Sequence, residues 1–123
     1  MADEITQTTR IALSNGLVKY TFQPGNLQID QAGTLVYAQI HSVGTSEESI
    51  TAFGDIADGS EGQVILQNLD ATNYVQWGVA TTVYTGRMTV NNPAVIFNGE
   101  PSFSLFWKAN TAACECWCIV FEV

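Results

Sequence analysis

Residues 111–123, TAACECWCIVFEV, contain neither proline nor glycine and are dense in β-branched and aromatic side chains, so they are expected as one long β-strand. In a strand alternate residues share a face and lie about 6.6–6.8 Å apart. Cys114, Cys116 and Cys118 then form one row, with Glu115 and Trp117 on the opposite side. A disulfide needs Cβ atoms at roughly 3.5–4.5 Å, so neighbours in this row cannot bridge while the strand is regular. Zinc holds its thiolates within about 4 Å of one another, whereas positions 114 and 118 stand roughly 13 Å apart. The single histidine, His41, is remote in sequence, and no Cys-x-x-Cys is present. The spacing favours reduced, buried thiols that pack as small apolar groups, ahead of a metal or intermolecular site and of redox catalysis.

The same strand is apolar on both sides: Cys114, Cys116, Cys118 and Val120 on one, Trp117, Ile119, Phe121 and Val123 on the other. An antiparallel sheet ordinarily buries one face and wets the other. One face of this strand therefore needs cover, either from neighbouring loops or from another subunit. Cys116, Trp117, Cys118 and Phe121 are candidate interface residues on that ground, and the region of Trp77 is a further one.

Elsewhere short apolar runs are separated by Gly, Asn, Asp and Pro, the punctuation of an all-β chain. RIALSNGLVKYTF reads as a hairpin with Asn15-Gly16 at a type I′ turn, with Ile11 and Leu13 on one face of its first strand and Pro24-Gly25 ending it. Further strands are expected near 27–31, 34–43, 63–69, 73–79, 82–90, 94–97 and 102–108, with a short one at 50–53 inside the polar loop 44–63. Short strands without a helix of note give an all-β fold, a single-domain antiparallel β-sandwich or jelly-roll-like barrel over residues 11–123. Residues 1–10 are polar and lack apolar periodicity, which predicts a flexible arm with Ile5 as its one apolar anchor.

Of 123 residues, 12 are acidic and 4 basic, a formal charge of −8 that repels phosphate backbones and argues against direct nucleic-acid binding. The polar, acidic start is unlike a signal peptide, so synthesis in a cytoplasm is expected, and no apolar run reaches the 18 or so residues of a membrane span. No G-x-S-x-G and no phosphate-binding glycine loop occurs. Glu47-Glu48 reads as solvated surface, and Asp55, Asp58 and Glu61 lack the alternating oxygen spacing of a calcium loop. Trp77, Tyr74 and Tyr84 suit a β core better than a sugar-stacking platform. No enzyme activity, cofactor or metal is expected.

The phrases TTRIALSNG, LQIDQAG, NLDATNYV, TGRM and WKANTAA, which together cover most of the chain, resemble a group of small proteins encoded in tailed-bacteriophage genomes. The chain departs from that pattern at VNNPAVIF, where relatives commonly carry a Pro-Gly-Glu turn, and in its cysteine row. The resemblance implies a virion structural component located on the capsid surface, a head decoration (cement) protein whose partner is the major capsid protein and which assembles as a homotrimer. A tail, neck or fibre component, or a carbohydrate-binding β-sandwich, is the alternative.

Overall fold

A computed structural model of the chain describes residues 5–16, 18–29 and 34–122. Its contacts divide the chain into two compact units, Met1–Ala32 and Gly33–Val123. The division falls well beyond the boundary expected after residue 10.

The first unit is a two-stranded antiparallel ribbon. Strands β1 (Ile5–Thr8) and β4 (Asn26–Ile29) pair from Ile5↔Ile29 to Thr8↔Asn26, and β2 (Ile11–Asn15) and β3 (Val18–Phe22) continue the ladder from Ile11↔Phe22 to Asn15↔Val18. Between the two ladders one side has Thr9 and Arg10, the other Gln23, Pro24 and Gly25. The extra residue coincides with a proline that has no N–H to pair and a glycine at φ 92°. Pro24-Gly25 thus interrupts the ribbon rather than ending it. The turn also differs by one residue from the expected Asn15-Gly16. Asn15 pairs with Val18, so Gly16, at φ 57°, is the first central residue of the loop, where a positive φ is required.

The second unit is a β-sandwich of two four-stranded antiparallel sheets. One has the order β10 (Ala94–Asn98), β7 (Glu61–Asn68), β12 (Cys114–Glu122), β5 (Val36–Val43); the other has β6 (Glu48–Ile50), β11 (Leu105–Ala109), β8 (Val75–Gly78), β9 (Gly86–Met88). The all-β sandwich read from the sequence is the fold observed. The core draws on both sheets: Val43, Val64, Leu66, the three cysteines and Val120 from the first, and Val75, Trp77, Met88, Leu105 and Trp107 from the second. Aromatic contacts fill the gap between them, with Phe53 stacked on Phe103 at 4.9 Å and His41 edge-on to Trp107 at 5.6 Å. The expected strand at 82–90 shortens to Gly86–Met88, because Thr82 takes φ 58° in a tight turn closed by an Ala80↔Val83 bridge. Likewise Ser102, at φ 64°, delays the strand expected at 102–108 until Leu105.

Candidate interaction surface

Strand β12 lies at the centre of its sheet, between β7 and β5, and its alternation decides which face is interior. Cys114, Cys116, Cys118 and Val120 point into the core at 1% exposure or less, so no second subunit reaches Cys116 or Cys118. The sequence makes both candidates for an interface; the parity of the strand assigns them to the interior instead. Burial pushes the thiols of Cys116 and Cys118 up to about 12, where they stay protonated. Thiols in that state are poor nucleophiles and poor metal ligands at neutral pH. They act here as packing groups.

The opposite face carries the apolar surplus. Cross-strand pairing places Ala38, Ile119, Ile65 and Ile96 in one row across all four strands, and Ile40, Trp117, Gln67 and Ala94 in the next. Val36 stands opposite Phe121 at the end of this surface. With strands about 4.8 Å apart each row spans roughly 14 Å. Trp117, Ile119, Phe121 and Ile65 are half-buried by their neighbours, while Val36, Ile40 and Ile96 are 52%, 46% and 50% exposed. Polar groups flank the rows at Glu115 and Ser42, which pair with each other and are exposed. Three isoleucines and an alanine thus run side by side across the outer face of this sheet.

Of the residues expected at an interface, Trp117 and Phe121 thus lie on this face. Trp77 is interior, stacked on Phe97 at 5.1 Å with the ring planes 12° apart. Ile5 belongs to the ribbon unit, and its side chain lies outside the described residues. Sequence reading missed Val36, Ile40 and Ile96. Val36, Ala38 and Ile40 do alternate with Tyr37 and His41, but either set suits a core until the pairing with β12 is known. In the structure Tyr37, His41 and Val43 face inward: Tyr37 Oη lies 2.7 Å from His41 Nε2, and burial holds the imidazole below its usual pKa. His41 is therefore a packed strand residue.

The phrases that carried the resemblance turn out to be structural. In NLDATNYV, Asn68 is 3% exposed and its Nδ2 donates to the carbonyls of Asn73 at 2.9 Å and Met88 at 3.0 Å, while its Oδ1 accepts from the Asp70 amide at 2.9 Å. Asp70 Oδ1 accepts from the amides of Thr72 and Asn73, and these bonds hold its carboxyl below the usual range. In WKANTAA, Asn110 exchanges hydrogen bonds with the backbone of Tyr74, and Thr111 Oγ1 donates to Asn73 Oδ1. In TGRM, the Arg87 guanidinium sits 4.5 Å over the Tyr74 ring. The three phrases knit one end of the sandwich together. Segment LQIDQAG runs past Ile29 out of the described residues.

A second polar cluster pins the 80–84 turn. Glu47 accepts from Thr81 Oγ1 at 2.7 Å, the Thr82 amide at 2.8 Å and Tyr84 Oη at 2.5 Å, which lowers its pKa. Its carboxylate is a clamp whose acceptors are already engaged. Glu61 does the same for Gly59 and Ser102, accepting from both amides.

No protein-family model matches the chain, and neither does any curated protein or solved structure compared with it.

Proposed function

We propose that this protein is a non-enzymatic structural component of a tailed-phage virion, a head decoration protein that seats the outer face of the β10-β7-β12-β5 sheet on the major capsid protein. The observation that carries the reading is the row Ala38–Ile119–Ile65–Ile96, left open on a sheet whose other face already forms the core. Cement function calls for repeated, strong, chemistry-free contact, and a broad apolar face supplies it by excluding water. The two-stranded ribbon supports the same reading. An isolated two-stranded hairpin is marginal in water, and the exposed Ile11 and Phe22 give this ribbon apolar purchase on a neighbour. Ribbon and N-terminal residues together would be the attachment arm, and a homotrimer the assembled form.

Trp77 is covered by Phe97, and Tyr74 by Arg87, so an exposed Trp–Tyr platform for sugars has no support. The test uses undecorated phage heads assembled from a major capsid protein. Heads without the protein are expected to assemble yet rupture sooner on heating or at low salt, and adding it back should restore their resistance. Failure of the full-length protein to co-sediment with such heads, with retention on isolated tails, would move the assignment to the tail.

A further inference from the structure

The sandwich holds an aromatic cavity that the sheet-face reading does not use. It measures about 240 Å³ and lies where β8 and β10 meet the loop before β11, with Trp77, Phe97, Phe103 and Gly99 as its floor and walls. Val79, Thr85, Asn98 and Glu100, all exposed, ring the mouth. Three aromatic rings are fixed against one another: Trp77 stacks on Phe97, and Phe97 meets Phe103 edge-to-face at 5.9 Å and 79°. Two close approaches hold these rings in place. A Cβ at Gly99 would come within 2.7 Å of the Phe103 ring, and one at Gly86 within 3.1 Å of the Trp77 indole. Glycine at both positions lets the rings lie directly on backbone, so the walls are in place before any ligand arrives.

We propose that this cavity binds a small, uncharged aromatic molecule of about one or two fused rings. The size argument is direct: an apolar cavity of about 150 Å³ in another protein stays dry and admits benzene, and this one is larger. The floor offers no polar side chain, so water filling it would lack the two to four partners that an ordered water needs. An aromatic guest gains ring-edge and ring-face contacts with Phe97, Phe103 and Trp77. Glu100 at the mouth, on a chain of formal charge −8, selects against anionic ligands.

The test is an amide chemical-shift titration of the full-length protein with indole. Saturable binding in the millimolar range or tighter is expected, with shifts confined to Trp77, Val79 and residues 97–103. Val79 is half exposed, so Val79→Trp fills the mouth from the solvent side and should weaken indole by about tenfold or more. Thr85→Trp, on the neighbouring side of the same hairpin, does the same should the first variant fold poorly. Ile40→Asp, on the outer sheet face, should leave indole binding unchanged, and indole-3-acetate should bind several-fold more weakly than indole. No saturation up to the solubility limit, shifts centred on Ile40 and Ile96, or undiminished binding to folded Val79→Trp and Thr85→Trp would overturn the site; equal affinity for indole-3-acetate would overturn its restriction to uncharged ligands.

Discussion

Asn68 shows how much one residue can hold. Its side chain is interior and satisfies two carbonyls and one amide, drawn from the loop that follows β7 and from β9. Asn68→Ala leaves the carbonyls of Asn73 and Met88 without their donor, and each buried group so stranded costs about 1–3 kcal/mol. Urea unfolding of this variant should show a loss of about 3 kcal/mol, and Asn68→Asp, which also removes both donors, should do no better. The thiols make a second residue-scale prediction. In the unfolded chain they titrate near the ordinary value of about 8.5, whereas in the fold Cys116 and Cys118 hold their protons to about 12. The unfolded state therefore loses protons first as pH rises. The stabilisation is complete below about pH 8.5 and falls above it by about 1.4 kcal/mol per pH unit for each thiol. Urea midpoints measured at pH 7 and pH 10 should drop steeply for the native protein and less steeply for the Cys116→Ala, Cys118→Ala double variant. Equal slopes would mean that the thiols are not the titrating groups.

Among the elements, the ribbon and the sandwich should differ sharply in hydrogen exchange. Strand β12 is central, paired on both sides and packed on a core, while among the described residues each ribbon strand has one partner strand. Amides of β12 and β7 are expected to exchange only by global unfolding, and those of residues 5–29 faster by several orders of magnitude. Protection of the ribbon equal to that of β12 would contradict this. The same contrast explains what could be read in advance. Period-two alternation places β12, β7, β10 and β11 within a few residues, because their inward positions are apolar apart from Asn68 at the end of β7. Strand β1 was missed because ITQT has no apolar alternation; pairing with β4 makes it a strand. The interior side of β12 could not be chosen either, since cysteines and large aromatics suit a core equally well. Register with β5 and β7 settles it, and register is a long-range property. Asn68, too, sat inside a quoted phrase without its role being visible, for its partners Asn73 and Met88 meet it only in the folded chain.

At the scale of the whole molecule, the proposed function requires one apolar sheet face of the β-sandwich to mediate assembly. Light scattering of the purified protein at micromolar concentration is expected to give a trimer, and a monomer there would confine trimer formation to the capsid. Ile40 and Ile96 are about half exposed and on different strands of that face, so Ile40→Asp with Ile96→Asp places two charges on the surface while sparing the core. The deciding measurement is co-sedimentation of this double variant with undecorated heads, alongside thermal unfolding to confirm that it remains folded. A thermal midpoint within a few degrees of the native protein is expected, with an affinity for heads reduced by about a hundredfold, roughly 2.7 kcal/mol; a folded double variant that decorates heads as tightly as the native protein would contradict the proposed role of this face.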